Sequence, residues 1–320
     1  MNLLKLEPAF KDYLWGGTKL KTDYEKKSDL AIVAESWELS NHPAGSSIVT
    51  NGEYEGKTFV EYLEKEGKAV WGTNAASFEN FPVLIKFIDA KQALSIQVHP
   101  DDEYALRVEK EFGKNEMWYI LDCEPGSFLY FGVNQDLTKE EFRNRIENNT
   151  LLDVLNKVEV HKGDVFFIKA GTIHAIGAGI MICEIQQNSN STYRVYDFGR
   201  KDANGNSREL HVDKAVDVSQ LTPSEKTYGQ QPKEAIENGN TKSTLASCKY
   251  FTTNCYEVKE NITLNADDKS FHSLIMLEGT GTITCKDESV SYKKGDSIFL
   301  PAGAGEYMVE GDCSFILTTI

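Results

Sequence analysis

The chain has 320 residues, 40% hydrophobic and 26% charged, with a formal net charge of −15. No run of about 18 apolar residues occurs, so no membrane-spanning helix is expected. A surface this acidic repels nucleic acid and anionic lipid, so an anionic ligand requires a local group of Lys or Arg.

The length suits one large domain or two moderate ones. The six cysteines, at 123, 183, 248, 255, 285 and 313, form no CxxC pair and read as free thiols of a reducing compartment. The opening "MNLLKLEPAF" is too short and mixed for a signal peptide, and a cytoplasmic location is expected.

In chain order, residues 56–70 have helical spacing, followed by strand-like runs at 81–90 and 93–99. Residues 101–113 again read as helix, then 117–121 and 127–133 as strands. The strongest helical signal is 136–158, where Thr138 and Glu141 match a capping box and Phe142, Ile146, Leu152 and Leu155 give two short helices an apolar face. Strands are expected at 164–169 and 180–187, and a polar connection at 219–245. Strands at 271–277, 280–286, 296–301 and 313–320 complete the chain. Short strands separated by regular turn residues predict a β-sandwich or barrel.

One repeat stands out: "KGDVFFIKAGTIH" (162–174) aligns without gaps on "KGDSIFLPAGAGE" (294–306). Each copy follows a strand and a Gly turn, and the helical stretch near 136–158 is an insert in the first. Two related β domains are the economical account.

Metal-ligating residue types gather at strand positions of the first copy. Side chains alternate along a strand, so Leu94, Ile96 and Val98 face one way and Ser95, Gln97 and His99 the other. Glu116 opens the next strand and His174 follows the turn "KAGTI". Two imidazoles, a carboxylate and an amide carbonyl suit a divalent cation with room left for water or substrate. The plainer reading, a His satisfied at a strand end, is kept for His42, His161, His211 and His272.

At these residues the chain resembles the cupins. The stretch from Gly163 to His174 is similar to the second cupin motif, with Lys169 in place of proline. Gln97, His99, Glu116 and Gly126 resemble the first, with Gln97 for its first His. The second copy has the proline, but Glu306 replaces the His. The resemblance implies a mainly β, jelly-roll (double-stranded β-helix) cupin domain over 1–245 with a helical insert, and a smaller cupin-like domain over 246–320 without metal.

Across nearly the whole chain the resemblance is to type I mannose-6-phosphate isomerases in their short bacterial form. It is carried by "YLWGGTKL" (13–20), "AESWELSNHP" (34–43), "PVLIKFIDAKQALSIQVHPDD" (82–102), "KNEMWYIL" (114–121), "AGTIHAIGAG" (170–179) and "CEIQQNSNSTYRVYDFGR" (183–200). It implies a phosphorylated hexose substrate, one zinc ion on Gln97, His99, Glu116 and His174, and Arg194 as catalytic arginine. It also implies Lys114, Lys86, Glu35 and Glu184 as pocket residues, and proton transfer between C1 and C2 through an enediol(ate).

The proton carrier is left open between Lys114 and Glu184, the latter read equally well as orienting Arg194 or Lys114. Ser95, Arg200 and Lys201 are candidates for the phosphate, although "GRKD" (199–202) also reads as a solvated turn. Trp15 is a candidate pocket wall or plain packing. Asn190 stands where relatives commonly carry Asp, which puts a carboxylate shuttle there in doubt. Two alternatives remain: a redox cupin, which would favour three His over Gln97, and a metal-loaded sugar-phosphate sensor without turnover.

Overall fold

Short runs broken by glycine and polar turns pair with antiparallel neighbours, which need only tight connections. The computed structural model describes residues 3–201 and 204–320, and the chain packs as two compact units. One takes in residues up to Asp12, Thr18–Phe87 and Gln230–Ile320; the other Tyr13–Gly17 and Ile88–Gly229.

In the first unit an eight-stranded sheet includes Leu4–Glu7, Thr241–Ser247, Thr252–Val258, His272–Glu278, Ser297–Leu300 and Cys313–Thr319. A four-stranded sheet contains Asn261–Ala266, Thr280–Cys285, Glu288–Lys293 and Gly305–Glu310. Leu274, Met276, Ile283, Ile298, Tyr307 and Phe315, drawn from both sheets, form one buried core. The expected boundary after residue 245 falls inside Thr241–Ser247, which pairs antiparallel with Thr252–Val258 on both sides of a register shift between Thr244 and Ala246. The stretch 219–245 is therefore not wholly a connection. Ser243 and Leu245 alternate inward there, and Glu234–Ala235 adds an edge strand.

In the second unit a five-stranded antiparallel sheet runs in the order Leu155–Glu159, Phe128–Val133, His174–Ala175, Ile96–Val98, Tyr193–Tyr196. One face buries Ile96, Val98, Ala175, Tyr193 and Val195 against Phe142, Ile146, Ala215 and Val216 of the helices Lys139–Glu147 and Val212–Val218. The opposite face is left for polar residues. The strands Val165–Ile168, Glu116–Cys123 and Ile180–Gln187 pair antiparallel in that order.

The helical insert is shorter than its spacing suggests. Its helix ends at Glu147, a 3-10 turn covers Leu151–Val154, and Leu155–Glu159 is a strand on Phe128–Val133. The Thr138 hydroxyl caps the helix by accepting from Glu141 N–H at 3.1 Å. The full capping box occurs instead at Thr58 and Glu61.

The repeat is structural. Gly163 N–H donates to Ile120 O and Ile120 N–H to Asp164 O, just as Gly295 N–H donates to Met276 O and Met276 N–H to Asp296 O. Asp164 accepts from His161 N–H and Asp296 from Lys293 N–H, three residues back in each copy. Gly163 and Gly295 sit at φ 90° and 86°, open to glycine without strain.

Candidate metal centre

The alternation expected for 93–99 places the site. Ile96 and Val98 enter the helix-covered core, which leaves Gln97 on the other face beside its cross-strand partners His174 and Arg194. On the strand Glu116–Cys123, Glu116 and Trp118 share a face with Gln186 and Glu184, their partners on Ile180–Gln187. His99 follows its strand and approaches the same point.

His99, Glu116 and His174 are buried with their ligating atoms all within 4.8 Å of one another. His174 Nε2 lies 3.3 Å from Glu116 Oε1, and His99 Nε2 lies 3.6 Å from Oε2. Both rings have their tautomer fixed from behind. His99 Nδ1 is 2.8 Å from Ser191 O, and His174 Nδ1 is 2.8 Å from Thr172 O. A carbonyl only accepts, so each Nδ1 carries hydrogen, and Nε2 is the nitrogen whose lone pair, in the neutral form, turns inward. Burial pushes the His174 pKa down to about 4, which keeps that ring neutral at pH 7.

Gln97 Nε2 lies 3.4 Å from His174 Nε2. A half-turn of the amide exchanges this nitrogen for the carbonyl oxygen, the atom a cation requires. Lys114 Nζ completes the group, 2.7 Å from Glu116 Oε2, 3.2 Å from His99 Nε2 and 3.7 Å from Glu184 Oε1. Glu184 Oε1 also accepts from Trp118 Nε1–H at 3.1 Å.

These residues fit a divalent cation on two grounds. Glu116 is fully buried, and among the described residues neither carboxylate oxygen has a hydrogen bond of good geometry, although the Lys114 ammonium is close to one of them. Burial, aided by Glu184 and opposed by Lys114, holds its pKa well above the usual carboxylate range. Two carboxylates against one ammonium also leave the pocket short of positive charge when its imidazoles are neutral.

Arg194 donates from Nη1 to Glu209 O at 2.9 Å, while its buried Nε has no hydrogen-bond partner among the described residues. Its backbone N–H donates to His211 Nδ1 at 3.2 Å, which gives that histidine a supporting task. Arg200 and Arg208 both bond Asp197, and Arg200 reaches Ala93 O at 2.6 Å. Lys201 is exposed, and Asp202 of the "GRKD" turn lies outside the described residues. Ser95 is buried, and Trp15 is buried beside Tyr13. Lys86 and Glu35 belong to the first unit, where they pair at 3.6 Å and Glu35 accepts from Trp37 Nε1–H. Asn190 is exposed, as is Glu306 in the second repeat copy. Sequence reasoning missed Trp118, Asn115, Gln186 and Gln187. Only the alternation of Trp118 with Glu116 signalled any of them.

Residues 3–125 match the model described as phosphomannose isomerase type I, catalytic domain, and residues 241–320 match mannose-6-phosphate isomerase, cupin domain. The chain is 39% identical over 316 residues to mannose-6-phosphate isomerase ManA of Bacillus subtilis, covering 98% of each chain. It is 35% identical to the mannose-6-phosphate isomerase of Streptococcus mutans over 98% of this chain and 96% of that one. Among solved structures, the mannose 6-phosphate isomerase from Bacillus subtilis superposes with a TM-score of 0.91 at 35% identity, covering 100% of both chains.

Proposed function

The chain belongs to the type I mannose-6-phosphate isomerases of the cupin family, and on that premise we propose that it interconverts mannose 6-phosphate and fructose 6-phosphate with one zinc ion held by Gln97, His99, Glu116 and His174. The observation that carries the metal reading is the buried His99–Glu116–His174 group, with both Nε2 atoms close to the Glu116 carboxylate and all three ligating atoms within 4.8 Å of one another. Non-redox chemistry and Gln97 favour zinc over iron.

When bound, zinc supplies Lewis-acid polarisation of the sugar oxygens at C1 and C2. The remaining work falls to side chains. Lys114 is the group suited to move the proton between the two carbons, and Glu184, anchored by Trp118, orients it and is the carboxylate counterpart in the transfer. Arg194, across from Gln97, sets a fixed positive charge against the enediol(ate) oxygens. The phosphate falls to the basic residues beyond it, Arg200 and Arg208, which share the single carboxylate of Asp197. Ser95, Lys86, Glu35 and Trp15 are proposed to line the substrate pocket. The catalytic role is assigned to the stretch before residue 246 and a supporting one to 246–320, in a cytoplasmic protein. Among the described residues no helix is long and apolar enough to cross a membrane.

The test is conversion of mannose 6-phosphate to fructose 6-phosphate by the purified protein. Turnover is expected. Tight sugar-phosphate binding without turnover would replace the enzyme reading with that of a sensor.

A further inference from the structure

The metal reading accounts for His99, Glu116 and His174 and leaves a buried amide network beside them without a purpose. Gln187, 2% exposed, ends the strand Ile180–Gln187. Its Oε1 accepts from the backbone N–H of Asn115 at 2.8 Å and from Asn115 Nδ2 at 2.7 Å. Its Nε2 donates to Asp102 Oδ1 at 2.9 Å, and its backbone N–H donates to Asn115 O at 3.0 Å. Asn115 Oδ1 in turn accepts from Ala170 N–H at 3.0 Å, and Asp102 Oδ1 also accepts from Gly113 N–H at 2.9 Å.

Every end of this network lies on backbone that delivers a site residue. Asn115 stands between Lys114 and Glu116. Ala170 opens the turn that ends at His174. Asp102 follows His99 by three positions and begins the helix Asp102–Val108. The preceding Gln186, fully buried, donates from Nε2 to Gln187 O and Ser189 O, both at 2.7 Å. That fixes the turn whose Ser191 carbonyl sets the His99 tautomer.

A neutral planar amide is the side chain that can accept twice and donate once here without adding charge next to Glu116. Removing it strands the two Asn115 donors in a partly buried place, and the cheapest relief is movement of Asn115 further toward water. Such movement carries Glu116 and Lys114 with it.

We propose that Gln187, acting through Asn115 and Asp102, is a positioning residue that sets the affinity of the His99–Glu116–His174 group for its divalent cation. The proposal rests on the metal reading above. A purely structural clamp would change stability and leave the affinity of the folded protein unchanged.

The experiment measures zinc affinity by competition with a chromophoric chelator, and the visible spectrum of the cobalt-loaded protein, in folded samples. The variants are Gln187→Met, Gln187→Glu and the pair Asp102→Asn/Gln187→Glu. Gln187→Met keeps length without polar groups. Gln187→Glu still accepts from Asn115 but opposes the Asp102 carboxylate, and the double variant restores a donor–acceptor pair with the roles exchanged. The single variants are expected to bind zinc about 10–100-fold more weakly, the range usual for partners behind a metal ligand, with an altered cobalt spectrum. The double variant is expected to regain most of the loss. If Gln187→Met does not fold, the comparison of Gln187→Glu with the double variant decides. Unchanged affinity in the folded single variants, or no recovery in the double, overturns the proposal. Failure of the unaltered protein to bind zinc or cobalt would instead overturn the metal reading on which it rests.

Discussion

Arg194 and His272 make opposite demands on their surroundings. Arg194 keeps its charge with its Nε left over, although burial and the neighbouring Arg208 and Arg200 pull its pKa down. An unspent donor beside Gln97 suits a group reserved for charge that appears only during the reaction. Arg194→Ala is therefore expected to keep its metal and lose about 10²–10³-fold in kcat, the usual cost of removing such a donor. Zinc content near one per chain together with an unchanged kcat would remove Arg194 from the chemistry. His272, in the first unit, contacts the Tyr307 hydroxyl at 2.8 Å, and burial pushes its pKa down to about 4 despite the opposing pull of Asp267. An unfolded histidine titrates near about 6.5, so below that pH the unfolded chain takes a proton that the folded one refuses. His272 thus costs the folded state nothing above about pH 6.5 and destabilises it increasingly as the pH falls toward about 4. In urea titrations the unaltered protein should lose more stability than His272→Asn across that window. Parallel curves for the two would show that His272 is not held neutral.

The elements that bring the ligands together depend on close backbone approach as much as on strand pairing. Gly113 is the sharpest case. A Cβ there would lie 2.4 Å from the Asp101 carbonyl carbon and the Asp102 backbone nitrogen. Backbone cannot give way as a side-chain tip can, so Gly113→Ala must push the segment before Lys114 off the start of the helix Asp102–Val108. The expected result is destabilisation by about 1–3 kcal/mol, as for overpacking elsewhere, with weakened metal binding. Normal stability and metal content would mean that the two segments separate freely. The strand bearing Gln97 and the two G-D turns were legible in the sequence, because alternation and a glycine at positive φ leave local marks. Leu155–Glu159 was not. Its apolar residues fit a helix as well as a strand, and pairing with Phe128–Val133 decided the matter. The strands Thr241–Ser247, Thr252–Val258 and Asn261–Ala266 were hidden for another reason. They are rich in Thr, Asn and Ser, and several of their residues gain burial only within the finished sheet. The roles of Asn115 and Gln187 were illegible because their partners lie far off in sequence, Asn115 with Ala170 and Gln187 with Asp102.

For the molecule as a whole, two β units carry the same turn geometry, and only one copy has the ligands. His174 is fully buried in the first copy, while the equivalent Glu306 is exposed in the second. The fold therefore does not require metal ligands at that position, and their presence in one copy points to use. The net charge of −15 sharpens the same contrast, since a phosphorylated sugar needs a local excess of positive charge to bind against the field of the whole chain. If the His99–Glu116–His174 group holds the metal ion on which isomerisation depends, metal and turnover must move together. The direct measurement follows bound zinc and the rate of fructose 6-phosphate formation from mannose 6-phosphate together, through chelation and then zinc return. Rate and zinc content are expected to fall together and recover together, with about one zinc per chain at full activity. Full turnover by protein shown to be free of metal would contradict it.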